Sequence, residues 1–201
     1  MTVAQPLARV SVAEYLDEEL RSEIKHDYVD GRVYARTETL IPHKTIATNL
    51  CSSFWVQLRG KPCHPFTSDA KIRLRLPTET RFYYPDAMVV RHPNQPSESF
   101  QDRPVMIAEV MTEESRRIDE WEKKDAYLTI PSLTAYLLIE SDRPRVVVYR
   151  RTEMVFVPEV YQGMDATIEL KDVRCSIALS ELYERVDFTA ATATEQEADA
   201  D

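Results

Sequence analysis

Glycine is nearly absent from this chain, with three residues in 201. Phosphate-cradling loops and dinucleotide fingerprints need closely spaced glycines, so neither is present. No Gly-x-Ser-x-Gly elbow occurs either, which disfavours serine hydrolases of the usual type along with nucleotide-dependent enzymes. Cysteine is equally scarce. Cys51, Cys63 and Cys175 lie far apart with no Cys-x-x-Cys or Cys/His metal pattern, so reduced thiols in a cytosolic protein are expected. No apolar stretch approaches the ~20 residues of a membrane span. No apolar run follows basic residues at the N-terminus, so no signal peptide is expected and the expected location is the cytoplasm. Positive charge is in deficit too: 25 Lys and Arg against 34 Asp and Glu give a net charge of −9. That argues against broad non-specific attraction to nucleic acid, although a local basic groove stays compatible with it because part of the excess lies in the C-terminal tail.

What the chain does have is concentrated between Tyr83 and Tyr127. Asp86 stands at the mouth of the apolar run Ala87-Met-Val-Val90, and a Pro/Asn/Ser-rich loop follows from His92 to about Pro104. The next run, Val105 to Met111, is apolar except for Glu109. Both runs are short enough and sufficiently β-branched to be buried strands. An unpaired carboxylate in a buried strand costs several kcal/mol, on the order of what one isolated charge loses on burial, so Glu109 requires a cationic or metal partner. Two acids on adjacent strands can share a divalent cation, and hard cations take carboxylate, water and phosphate oxygens. Asp119, Lys123 and Tyr127 recur at four-residue spacing and share one helix face. A purely structural alternative, a buried Glu109–Lys123 ion pair, fits the same residues.

The ordered set Pro85-Asp86, Glu109-Val-Met-Thr112, Asp119, Lys123, Tyr127, Pro131-Ser-Leu133 and Tyr136 resembles the Uma-type (Uma-two) family of restriction-endonuclease-like proteins, formerly a domain of unknown function, within the PD-(D/E)XK nuclease superfamily. The likeness also takes in Glu23 to Gly31, His43, Ser68-Asp69 and the strand near Arg145, and covers roughly Val10 to Phe188. It implies an α/β fold with a restriction-endonuclease-like core: a central mixed β-sheet flanked by helices, with additional N-terminal and C-terminal hairpins. It further implies Asp86 and Glu109 as metal-holding and catalytic acids, Mg²⁺ or Mn²⁺ as cofactor, nucleic acid (DNA in the first instance) as partner, and a homodimer. The superfamily's usual lysine would fall at position 111, where this chain has Met111, so the resemblance assigns that role to Lys123, with Lys124 as the confusable neighbour. Asp27 occupies a segment from which superfamily members often add an acid to the metal shell. Asp119 and Tyr127 are expected to orient Lys123.

Along the chain, residues 1–10 read as a flexible arm, 11–188 as one nuclease domain, and 189–201 as a disordered acidic tail of low complexity. Ser11-Val-Ala-Glu14 has capping-box form. Lys25 to Arg36 reads as a hairpin turning at Asp30-Gly31. A helix is expected from Pro42 to about Leu58, with Ile46, Leu50, Phe54 and Leu58 as its buried stripe. His43 falls in its first turn, either reaching a cleft or standing on the surface. Phe66 to Leu76 alternates, placing Lys71, Arg73 and Arg75 on one face, which is either a phosphate-contacting stripe or a solvated outer face. Two strands around Arg145–Arg150 and Met154–Tyr161 are expected to pair, Ile168 opens a short strand, and Ser180 is expected to cap a last helical turn.

Three functions are compatible with these residues: a Mg²⁺-dependent endonuclease, a catalytically silent nucleic-acid-binding or protein-interaction module on the same fold, and a metal hydrolase acting on another phosphate ester. Magnesium titration separates the second from the other two.

Overall fold

The computed structural model describes residues 9–188 apart from 38, 114 and 154, so the proposed arm and tail lie, almost entirely and entirely, outside the described residues. Helix α1 (Val12–Glu19) opens on the expected capping box, with the Ser11 hydroxyl accepting from the Glu14 amide and the Glu14 carboxylate accepting from the Ser11 amide. Strands β1 (His26–Val29) and β2 (Arg32–Ala35) form the hairpin, and the turn puts Asp30 at φ 47° and Gly31 at φ 82°. Helix α2 (Ile41–Leu58) carries Pro42 in its first turn, where the missing amide costs nothing. Its Ile46, Leu50, Phe54 and Leu58 are buried as their spacing requires, whereas Trp55 faces solvent.

The alternating segment after α2 is two strands, not one. Strand β3 (His64–Thr67) ends in a turn closed by Ala70 N–H on the Thr67 carbonyl, and β4 (Lys71–Arg75) then enters a different sheet. Strands β5 (Thr80–Tyr83), β6 (Ala87–Val90), β7 (Phe100–Gln101) and β8 (Pro104–Met111) follow. A π-helical turn, Ile118–Lys123, runs into α3 (Lys124–Tyr127). The chain continues through β9 (Ala135–Glu140), β10 (Arg145–Arg151), β11 (Phe156–Gln162), β12 (Thr167–Leu170), β13 (Cys175–Ala178) and α4 (Leu179–Leu182). Ala178, not Ser180, precedes the first turn of α4, and it supplies no side-chain cap.

The strands make a six-stranded mixed sheet in the order β11-β10-β9-β8-β6-β3, a five-stranded sheet β2-β1-β5-β4-β7, and the hairpin β12-β13. The expected central sheet is therefore the six-stranded one, and the N-terminal hairpin is the edge of a second sheet rather than an appendage. Strand β8 pairs antiparallel with β6 and parallel with β9, and all eight of its residues are buried. Alternation assigns its two faces. Met106, Ala108 and Val110 pack with the α2 stripe, while Ile107 and Met111 pack with Tyr127, Tyr136 and, from the second sheet, Ile72, Leu74 and Tyr83. Glu109 shares the second face. The three cysteines are free and buried, and among the described residues no helix is long and apolar enough to cross a membrane.

Candidate active site

Register brings the two acids together. Ala87 is paired with Ala108 in the β6–β8 ladder, so the next step along each strand leads to Asp86 and Glu109. Both lie at the sheet's edge of a cavity of about 570 Å³, together with Asp27 from β1, Arg36 just past β2, and Asp119 and Lys123 from the π-helical turn. Asp86 is 4% exposed and Glu109 1%.

Each carboxylate is fixed through one oxygen. Asp86 Oδ2 accepts from the Val110 amide at 2.8 Å and lies 3.1 Å from His43 Nε2, while among the described residues Oδ1 has the Arg36 guanidinium at 3.9 Å. Glu109 Oε1 accepts from the Tyr127 hydroxyl at 2.9 Å and is ion-paired with Lys123 Nζ at 3.2 Å, leaving Oε2 outside those contacts. Lys123 is held a second time by Asp119 Oδ1 at 2.8 Å. Asp27 accepts weakly from the Tyr84 amide at 3.3 Å, and Arg36 donates to the Tyr84 carbonyl.

The π-helical turn has a geometric consequence here. Each residue of a wide turn rotates through less than the ~100° of an α turn, so Lys123 falls just short of one full turn from Asp119. The α-helical step from Lys123 to Tyr127 overshoots by a similar amount. The two drifts oppose, so that Lys123 and Tyr127 both reach Glu109 while Asp119 reaches Lys123. Tyr127 thus positions Glu109 directly, where the sequence suggested it would orient Lys123. Lys124 points elsewhere, over the Trp121 and Tyr149 rings at 5.1 and 5.3 Å.

The electrostatics are those of crowded acids. Burial pushes the Glu109 carboxyl up to about 8 against the pull of Lys123, with Asp119 and Asp86 adding to the rise. Asp27 is raised by burial as well, Lys123 and Arg36 opposing. Burial would lower the Lys123 ammonium, but Glu109, Asp119 and Asp27 outweigh it and hold the group well above the usual lysine range. Asp86 also resists burial, and contact with His43, the Val110 amide and Arg36 brings it below the ordinary aspartate range.

Fully ionised, the buried floor sets four carboxylates (Asp27, Asp86, Glu109, Asp119) against two permanent cations (Arg36, Lys123), an excess of two negative charges. That excess, and the uncommitted oxygen on each strand acid, fit a divalent cation. Among the described residues no group of three or more His, Cys, Asp or Glu side chains is arranged to ligate a metal. A cation here would rest on two carboxylates and fill its shell with water and phosphate oxygens, the ordinary condition of Mg²⁺.

Of the remaining candidates, His43 is buried at this site and not on the surface, and its Nδ1 has no hydrogen-bond partner among the described residues. The cationic stripe is not a solvated face. Lys71 is 4% exposed and donates to the Tyr84 hydroxyl at 3.0 Å, under Tyr15 of α1. Arg73 is clamped in a two-pronged pair by Asp102. Only Arg75 is exposed. Arg36 is the site residue the sequence did not single out, since nothing distinguishes it from any cation ending a hairpin.

Comparison with known proteins agrees with this architecture. A family model described as "Uma2: Putative restriction endonuclease" matches residues 12–180. The protein slr1290 of Synechocystis sp., itself uncharacterized, is 30% identical over 186 residues, covering 91% of this chain and 96% of its own length. A second uncharacterized Synechocystis protein, sll1609, is 27% identical over 154 residues, covering 75% and 86%. A crystal structure from Anabaena variabilis ATCC 29413, described as "a putative nuclease belonging to DUF820", superposes with a TM-score of 0.65 at 18% identity, covering 84% of this chain and 96% of that one, and so shares the fold.

Proposed function

The chain belongs to the Uma2 family of restriction-endonuclease-like proteins, and from that premise we propose that it hydrolyses phosphodiester bonds of nucleic acid, DNA in the first instance, with a divalent cation held by Asp86 and Glu109. The observation that carries the reading is the meeting of these two buried acids in one cavity, one step beyond the Ala87–Ala108 pair of the β6–β8 ladder, with a lysine ammonium 3.2 Å from one of them.

When bound, Mg²⁺ or Mn²⁺ would supply a water of lowered pKa and charge neutralisation on the phosphate. The protein's own groups do the rest. Tyr127 and Lys123 fix Glu109, and the Val110 amide with His43 fixes Asp86, so both acids are oriented before any ligand arrives. Lys123, doubly anchored and charged, orients the attacking water and stabilises charge on the transferring phosphate. Arg36 places a second positive charge 3.9 Å from Asp86 Oδ1. Asp27 belongs to the same floor as a third acid. Residues 11–188 form the working domain on this reading, a homodimer is its expected assembly, and sedimentation velocity reads that directly.

Plasmid, linear DNA and RNA incubated with Mg²⁺, Mn²⁺ or a chelator test the function. Cleavage that needs the cation and disappears in Asp86→Asn and Glu109→Gln is expected. A chain that binds Mg²⁺ yet leaves all three polymers intact would point to a different phosphate ester, and one that binds no metal to a silent binding module.

A further inference from the structure

A second cavity opens from the acid site and has no part in the chemistry above. It measures about 730 Å³ and shares Arg36, His43 and Asp86 with the smaller one, so the two form one continuous groove. Its long wall is α2, where Lys44, Thr48, Ser52 and Trp55 follow one another at three- and four-residue spacing. Thr67, Ser68 and Lys25 face them, the Lys25 ammonium being ion-paired with exposed Asp69 at 2.5 Å and donating to the Ser68 carbonyl at 2.9 Å. Among the described residues lining it, Asp86 at the shared end is the one acid, although the chain carries a net charge of −9. From His43 to Trp55 the wall runs twelve helical steps, about 18 Å at 1.5 Å each. Trp55 ends it with its indole 60% exposed.

We infer that this groove carries an unpaired strand away from the reacting phosphate and stacks a base on Trp55, so that the preferred substrate is single-stranded or bears a single-stranded arm. The inference rests on the nuclease reading of the adjoining site. Cations and hydroxyls along a wall suit a phosphate backbone read without regard to sequence. An aromatic platform within such a groove is the usual partner for a base that has left its stack. The acids themselves favour this substrate, being 4% and 1% exposed at the cavity floor. A flexible strand can bend a phosphate down to them, whereas a duplex is stiff over far longer distances and must keep both backbones outside.

Fluorescence anisotropy of a short labelled oligothymidylate and of a blunt duplex of equal length, measured with Ca²⁺ in place of Mg²⁺, tests the inference. The single strand should bind at least about tenfold more tightly, and Trp55→Ala should weaken it by about tenfold without lowering the melting temperature. Val56→Ala, whose side chain is exposed outside the groove, should change nothing. In Trp121→Phe, which leaves Trp55 as the sole tryptophan, the oligothymidylate should quench the emission. Equal affinity for strand and duplex, or a Trp55→Ala variant that binds like wild type, overturns the groove assignment. Cleavage of the same oligonucleotides in Mg²⁺ judges the nuclease reading separately. Cutting of the single strand at full rate by Trp55→Ala keeps the nuclease and removes the groove, while Trp55-dependent binding without cutting does the reverse.

Discussion

Lys123 Nζ lies 3.2 Å from Glu109 Oε1, although the lysine comes from a π-helical turn and the glutamate from a strand buried along its whole length. The position on that strand where the superfamily resemblance would put a lysine is Met111, buried in the core at 1% exposure.

Lys123→Ala is therefore expected to abolish cleavage while leaving Mg²⁺ affinity unchanged or tighter, since removing a cation beside two carboxylates cannot weaken their attraction for a metal. The metal-free variant should also melt several degrees lower, because the loss of one partner from a buried pair is destabilising, and Mg²⁺ should restore much of the difference. Lys124→Ala, losing only ring contacts, should cut normally. Calorimetric titration and a cleavage time course read both; active Lys123→Ala beside dead Lys124→Ala would falsify the assignment.

Asp86→Asn should lose most of the melting-temperature increase that Mg²⁺ gives the wild type. His43→Ala should lose part of it, since the imidazole only orients the carboxylate. Equal metal-induced shifts in wild type and Asp86→Asn would remove Asp86 from the metal site.

The Glu109 carboxyl predicts a pH dependence for the metal-free protein. Its folded pKa stands at about 8 against an ordinary 4.5, so the folded state holds a proton that the unfolded state has lost between those values. This group's contribution is complete below pH 4.5 and is lost as the pH rises to about 8, with a slope of up to about 1.4 kcal/mol per pH unit. Urea unfolding across that range should show the decline, and Glu109→Gln should flatten it. A wild-type slope matching the variant's would mean Glu109 is ionised throughout.

Two glycines offer a comparison on the fold. Gly31 and Gly60 both have positive φ, and an L side chain there costs about 1–2 kcal/mol. A Cβ at Gly60 meets nothing within 4 Å, whereas at Gly31 it would lie 2.7 Å from Arg9 Cβ. Gly31→Ala should thus lower stability by clearly more than Gly60→Ala in denaturant titrations; equal losses would show that the N-terminal segment does not pack on the turn in solution.

The sequence made some of this legible because the physics involved is local. A single acid in an apolar strand marked Glu109, the Asp30-Gly31 pair marked its turn, and the four-residue stripe of α2 marked its buried face. Period-two alternation correctly put Lys71 and Arg73 on one side of β4, but alternation says nothing about whether a side is covered. That depended on α1 laying Tyr15 across it and on Asp102 arriving from a distant loop, both long-range events. The division of Phe66–Leu76 between two sheets was hidden for the same reason, since a short turn at Ser68-Asp69 changes sheet without changing composition. Arg36 became a site residue only when the Tyr84 carbonyl, from the segment just past β5, received it.

The π-helical turn also makes completion of the site an equilibrium of its own. Glu109 is set into a strand paired on both sides and Asp86 stands one residue before its neighbour, but the ammonium rides on a short, partly exposed segment whose Ile118 and Trp121 face solvent. Amide hydrogen exchange should therefore divide the site, with fast local opening at Ile118–Tyr127 and protection near the global limit at β8. The population of molecules able to act at any instant is set by that local opening and is smaller than the population that is folded.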